Sequence, residues 1–286
     1  MKKTAPRPKG NTRVTGKEQY YTPAALADEL VAEVAAVVPD FKTRTVFEPA
    51  GGTGAFVEAA ERAGAAKVIS VDIEPKHIRV KHGDYLSIDL PERNAVTISN
   101  PPFGRNNSLS IPFFNRAAEH SEYIAFIVPR SWRKWSVLNR LDRRFHLVSD
   151  KDLQIDYVDG FGANLSQRKK LATCFQIWQQ QSQLRPIYKV VDHGLVEKVG
   201  PEDADVALTI FGFGCGTLHS EFARKANTTR MFLRLKHPRA LEALQNVDFS
   251  RFYLNTAYTE ALALPEINFL INEYILDESF LEFRAQ

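Results

Sequence analysis

The sequence predicts an α/β protein, a doubly wound and mostly parallel sheet followed by a smaller mixed α/β region. Three observations predict it. Short apolar runs, "TRTVFEPA", "AKVISVD", "NAVTISN" and "YIAFIVP", alternate with helix-periodic stretches such as "FVEAAERAG" and "FFNRAAEH", which is the pattern of successive βα units. The runs end in glycines, acids or prolines, so chemically useful groups should gather at the carboxyl ends of the strands, where such sheets bind ligands. The chain has 286 residues, 44% apolar and 25% charged, enough for a full core and a companion domain.

In chain order, residues 1–17 read as a basic tail. Lys2, Lys3, Arg7, Lys9, Arg13 and Lys17 all precede the first acid, Glu18, and the stretch is either a solvated tail or an arm that seeks phosphate. It lacks the apolar core of a signal peptide, and no run of eighteen apolar residues occurs. Neither secretion nor a membrane span is expected, and the cytoplasm is the default location. Thr22 and Pro23 look like a cap and first turn for the helix "AALADELVAEVAAVV", with Leu26, Leu30, Val34 and Val37 or Val38 on one face.

A domain spanning 18–183 takes in the alternating pattern, and later strands are expected around "LQIDYVDGF" and "LATCFQIW". The polar stretch "QQQSQLRP" suggests a linker or loop before a region 184–286. There "PRALEALQNV" and "PEINFLINEYIL" are helix-like, and "TIFGFGCGTL" reads as strand and glycine turn. The first 183 residues carry 26 Lys and Arg against 20 Asp and Glu; the remainder carries 11 against 14. Cys174 and Cys215 cannot make a zinc site alone, and the seven histidines include no pair at ligand spacing with a neighbouring carboxylate motif, so buried or free thiols and no metal are expected.

The strand ends hold the informative residues. "FEPAGGTGAF" brings Gly51, Gly52 and Gly54 to a turn where the backbone can approach a ligand. Glu48 beside them would repel a pyrophosphate yet suits a ligand carrying an ammonium and a sulfonium. No Gly-Lys-Ser/Thr sequence for a nucleoside triphosphate is present. Asp72 in "SVDIEP" can accept the two hydroxyls of a ribose, and Asp84 in "HGDYL" can take the exocyclic amine of an adenine ring. "TISNPPFG", with two prolines that cannot join a sheet ladder, must be a stiff loop at a strand end.

"QYYTP", "EPAGGTGAF", "VDIEP", "GDYL" and "SNPPF", in this order, resemble the S-adenosylmethionine-dependent, amino-methylating DNA methyltransferases of the gamma arrangement over roughly residues 15–180. The resemblance implies a class I methyltransferase fold, Rossmann-like, with a target-recognition domain after it. It implies S-adenosyl-L-methionine as cofactor, held by Tyr21, Thr22, Pro23, Glu48, Ala50, Gly51, Gly52, Gly54, Phe56, Asp72, Ile73, Asp84 and Tyr85. It also implies a catalytic motif of Asn100, Pro101, Pro102 and Phe103. In that motif the Asn100 side-chain oxygen and the Pro101 carbonyl accept the hydrogens of a target amine, and Phe103 stacks on an extruded base.

The motif reports the nucleophile and not the polymer. The expected substrate is the N6 amine of adenine in duplex DNA. RNA adenine, glutamine side chains of proteins and a catalytically silent nucleic-acid-binding protein are the alternatives, and cytosine-N4 transfer is disfavoured because those enzymes usually resemble a Ser-Pro-Pro pattern. A companion restriction nuclease or a homodimer is compatible with such a chain. Candidate nucleic-acid contacts are Arg130, Trp132, Arg133 and Lys134 in "PRSWRKWSVLNRLDRR", which otherwise reads as a solvated helix with buried tryptophans. Arg168 and Lys169 in "SQRKK", and Arg224, Lys225, Arg230 and Arg234 in a segment without acids between Phe222 and Leu241, complete the set.

Overall fold

The computed structural model describes residues 21–89, 93–156 and 171–277, and the backbone of 281–283. The basic tail, Arg168 and Lys169 lie outside the described residues. The strands of the first sheet are β1 (Thr45–Glu48), β2 (Lys67–Asp72), β3 (Lys81–His82), β4 (Ala95–Ser99), β5 (Ser121–Pro129), β6 (Phe145–Leu153) and β7 (Thr173–Gln180). They form one seven-stranded sheet in the order β3-β2-β1-β4-β5-β7-β6. The pairs β2/β3, β1/β2, β1/β4 and β4/β5 are parallel, and β6/β7 is antiparallel. This is the doubly wound, mostly parallel sheet that the alternating runs predict, with a separate small antiparallel sheet after it.

The chain divides into two compact units, one running to Phe126 and the other comprising Ile127–Gln154 and the chain from residue 171 on. In the first unit, every residue of β4 is buried, as a central parallel strand covered on both faces must be. Helix α1 (Ala24–Val37) buries Ala27, Leu30, Val31 and Val34, and each of the larger three contributes about 1.5–3 kcal/mol of burial. It begins one residue later than expected: Pro23 is the cap position, and no side chain caps the helix. Thr22 has other work. Helices α2 (Ala55–Arg62) and α3 (Ser110–Ala117) follow β1 and the proline loop.

In the second unit, β6 ends at Leu153, where the expected strand stretch "LQIDYVDGF" begins; Gln154, Ile155 and Asp156 are not in a strand, and the rest of that stretch lies outside the described residues. Its alternation is weak, and pairing with β7 sets its position. The short α4 (Trp135–Leu138) follows β5. Arg185, in the expected linker, is buried and donates to the carbonyls of Phe145, Leu138 and Leu141. Beyond it come β8 (Ile187–Lys189), β9 (Val196–Lys198), β10 (Val206–Thr209), β11 (Leu218–His219), β12 (Arg230–Leu235), α5 (Ala240–Asn246), α6 (Ser250–Tyr253), α7 (Leu264–Leu276) and β13 (Leu281–Phe283). An antiparallel sheet β11-β10-β12-β9 shares its core with α5 and α7: Leu208, Leu233, Leu244, Ile267 and Ile271 pack together. Both cysteines are buried and unpaired. No helix among the described residues is long and apolar enough to cross a membrane.

Candidate active site

The site lies in the first unit, where β1, β2 and β4 end side by side. The turn after β1 is tied to the turn after β2. Asp72 Oδ2 accepts the Gly52 amide at 2.9 Å, and its Oδ1 accepts the Glu74 amide at 2.7 Å. Gly51 donates to the Val71 carbonyl, Gly54 to the Gly51 carbonyl and Lys76 to the Gly52 carbonyl. Because the amides of Ala50, Gly51, Gly52 and Gly54 are all engaged within the protein, the turn is not a cradle of open amides for a phosphate.

The glycines themselves answer to the protein's own packing. A Cβ on Gly51 would stand 2.1 Å from Ser70 Oγ, and one on Gly52 would meet the Tyr21 ring at 2.7 Å. Gly52 and Gly54 also have φ of 46° and 82°, the left-handed region that glycine tolerates best. The protein's own packing therefore already requires glycine at these positions, whatever room they also leave for a ligand.

Glu48 is 1% exposed. Its Oε1 accepts the Ala50 amide at 2.9 Å and the Ser99 hydroxyl at 2.6 Å, while Oε2 is buried with no hydrogen-bond partner among the described residues. Burial pushes its pKa up to about 8, against the two hydrogen bonds and with a smaller push from the Asp72 charge. At neutral pH the carboxyl is protonated. Ser99 joins it to the tip of β4, one residue before Asn100.

The loop after β4 is stiff. Asn100 donates from Nδ2 to Thr22 Oγ1 at 3.3 Å, which sets which way the amide faces. Pro101 is buried. The Phe103 carbonyl accepts the amides of Leu109 and Ser110, at 3.2 and 3.4 Å, and Gly104, Asn106 and Asn107 have φ of 67°, 54° and 61°. Thr22 and Ser99 are the residues that the sequence reading missed in these roles. The "QYYTP" motif contains Thr22, but nothing local shows that its hydroxyl serves an asparagine 78 positions away.

Not every expected site residue is open to a ligand. Tyr85 is 1% exposed; its hydroxyl is 2.8 Å from His120 Nε2 and its ring packs against Phe47 and Phe113, which makes it part of the core. Phe56 is buried, and so is the Phe103 ring, which leaves little of that face for a stacked base. Asp84 is exposed and accepts the Leu86 amide with Oδ1 at 3.0 Å. Ile73 is also exposed.

The expected nucleic-acid contacts among the described residues lie in the second unit, and most are engaged. Trp132 is fully buried, so it offers no stacking face. Arg130 pairs with Asp152 at 2.8 Å, and Arg133 pairs with Asp150 at 2.5 Å and Asp152 at 2.8 Å. The hydrogen bonds that Arg133 donates to Asp150 hold its guanidinium above its ordinary range. Lys134 meets the buried Glu266 at 2.9 Å. Arg224 donates to the Pro201, Glu202 and Ala204 carbonyls over the Phe222 ring, and Arg234 is near Glu197 and Asp203. Lys225 is exposed, and Arg230 lines an open cleft.

A strand-tip site on a doubly wound sheet defines a class of fold, and comparisons with solved structures give its particular likenesses. A protein from Pyrococcus horikoshii, provisionally named an RNA methyltransferase, is 22% identical with a TM-score of 0.47, over 60% of this chain and 91% of that one. A Thermoplasma acidophilum protein is 18% identical with a TM-score of 0.44, over 58% and 92%. The modification subunit of a provisionally assigned type I restriction enzyme from Vibrio vulnificus is 15% identical with a TM-score of 0.42, over 62% and 48%. No protein-family model matches the chain, and no curated protein does.

Proposed function

We propose that this protein transfers a methyl group from S-adenosyl-L-methionine to the N6 amine of adenine in DNA. The observation that carries the reading is Asn100, fixed by Thr22 at the tip of β4 beside the carboxyls of Glu48 and Asp72 at the tips of β1 and β2. Glu48 Oε2, buried and without a partner, fits the ammonium of the cofactor, and an approaching cation would draw the proton from this carboxyl. The Asp72 carboxylate keeps a lone pair on each oxygen beyond the two amides it already accepts, so it can also take the ribose hydroxyls. When bound, the cofactor supplies a methyl on a sulfonium carbon.

The chain's own residues would prepare the other reactant. An adenine amine is a weak nucleophile because its lone pair is drawn into the ring. With Asn100 Nδ2 on Thr22, the amide oxygen and the Pro101 carbonyl can accept the two amine hydrogens, which favours a tetrahedral nitrogen with a usable lone pair. The stiff loop places those acceptors before reaction, so no reorganisation is needed then. After in-line attack the extra amine proton leaves, and no metal or covalent intermediate enters the scheme.

Labelled-methyl transfer to duplex DNA, single-stranded DNA, RNA and protein in parallel tests this. The expected result is label recovered as N6-methyladenine from DNA. Label in RNA adenine would move the reading to that polymer; label in cytosine or protein, or none in any arm, would overturn it.

A further inference from the structure

The second unit holds a cleft of about 550 Å³ whose lining includes no acidic residue. At its rim runs Phe211, Gly212, Phe213, Gly214, Cys215, Gly216. Phe213 is fully exposed and Phe211 half exposed. The loop beneath them is held fast: Gly212 donates to the Glu260 carbonyl at 2.9 Å, Cys215 to Gly212 at 3.0 Å and Gly216 to Thr209 at 2.8 Å. Gly212, Gly214 and Gly216 have φ of 83°, 77° and 91°, conformations that suit this backbone path and disfavour side chains. Cys215 plugs the loop into the core, yet the phenyl ring of Phe213 stays in water. Burial would stabilise such a ring, and the fold forgoes it.

The rest of the lining is polar and cationic. Asn227 Oδ1 accepts the amide and hydroxyl of Thr229, at 2.9 and 2.8 Å, which leaves the amide NH2 of Asn227 as the donating end. His219 is hydrogen-bonded to Thr209 at 2.8 Å, and burial together with the nearby Arg230 charge lowers its pKa and keeps it neutral. Arg234, Lys236 and Arg239 have acidic neighbours within 4 Å, whereas the Arg230 guanidinium has no ion pair among the described residues. An exposed aromatic face, an amide donor and an unneutralised guanidinium around an acid-free cleft match one ligand chemistry, a flat heterocycle with an attached anion.

We propose that this cleft binds a nucleobase and its phosphate on the substrate strand, with Phe213 stacked on the base, Asn227 donating to its edge and Arg230 on the phosphate. The proposal rests on the reading of the protein as acting on nucleic acid, and not on methyl transfer. Phe213→Trp makes the test direct when the wild type is titrated beside it, because Trp132 and Trp178 are fully buried and the wild type supplies the response of the third native indole, the partly buried Trp135. Titration with oligo(dT), a mixed-sequence DNA duplex and a mixed-sequence RNA should quench that indole with at least one polymer. Phe213→Ala should weaken the same binding roughly tenfold or more with the salt slope unchanged, and Arg230→Gln should lower the slope by about one. S-adenosylmethionine affinity should move in neither variant. Wild-type binding that Phe213→Ala and Arg230→Gln leave unaltered would overturn the cleft alone. Wild-type protein that binds none of the polymers would overturn the nucleic-acid reading with it, and methyl transfer that fails while Phe213-dependent binding persists would overturn only the enzymatic reading.

Discussion

In the proposed reaction Asn100 and Asp72 divide the labour, one toward the amine and one toward the cofactor, and single substitutions should separate them. Asn100→Ala removes a preorganised acceptor, so single-turnover rates should fall by a factor on the order of a hundred or more while S-adenosylmethionine affinity stays nearly constant. Thr22→Val keeps Asn100 but deletes its partner at 3.3 Å; its rate should fall less than that of Asn100→Ala, again with little change in cofactor affinity. A rate equal to wild type in both would remove this loop from the chemistry. Asp72→Ala should weaken cofactor binding by about 1.5–3 kcal/mol, the scale of a hydrogen bond to a charged group. It should exceed the loss in Asp84→Ala, because the Asp72 carboxylate also ties down the Gly52 amide and the Asp84 carboxylate holds only the nearby Leu86 amide. Calorimetry that ranks the two the other way would count against the strand-tip argument.

Among the elements, the turn between β5 and α4 shows where reading a sequence succeeds and where it stops. Burial repeats along a strand or helix, so the four parallel runs, α1 and α7 were legible in the apolar pattern. Charge pairing has no such period: Arg133 finds Asp150 across 17 positions and Lys134 finds Glu266 across 132. The basic look of "PRSWRKW" therefore says little about a partner outside the chain. The same holds at the site, where the glycines, acids and prolines were visible but the hydroxyls of Thr22 and Ser99 that orient them were not. Arg133→Ala should accordingly lower stability by about 1–3 kcal/mol, since it leaves the half-buried Asp150 without a guanidinium and Asp152 with Arg130 alone, and leave the salt slope of nucleic-acid binding in place. Denaturant unfolding and salt titrations of one variant decide it: unchanged stability with a reduced slope would return Arg133 to the binding surface.

Across the molecule as a whole, two buried groups with displaced pKa values set an uncommon dependence of stability on pH. Burial and the Arg116 charge lower His120 to about 4 from an ordinary 6.5, while burial raises Glu48 from 4.5 to about 8. Between pH 4 and 6.5 the unfolded chain binds a proton at His120 that the folded chain refuses, so this contribution is lost as pH falls through that window. Between 4.5 and 8 the folded chain keeps a proton on Glu48 that the unfolded chain releases, so stability falls as pH rises. The two slopes oppose each other from 4.5 to 6.5, and above 6.5 Glu48 acts alone. The decline from pH 6.5 to 8 should amount to about 2 kcal/mol at most, at about 1.4 kcal/mol per pH unit. Glu48→Gln preserves the Oε1 acceptor for Ala50 and Ser99 but cannot ionise; its stability should be flat over that range and should fall only on acidification. Saturating S-adenosylmethionine should flatten the wild-type curve in the same range, because an ammonium at Oε2 favours the carboxylate and removes the proton difference. Urea unfolding at pH 5, 6.5 and 8, with and without the cofactor, measures each arm. Parallel curves for wild type and Glu48→Gln above pH 6.5 would show that Glu48 is ionised without ligand, and the ammonium would then need another partner.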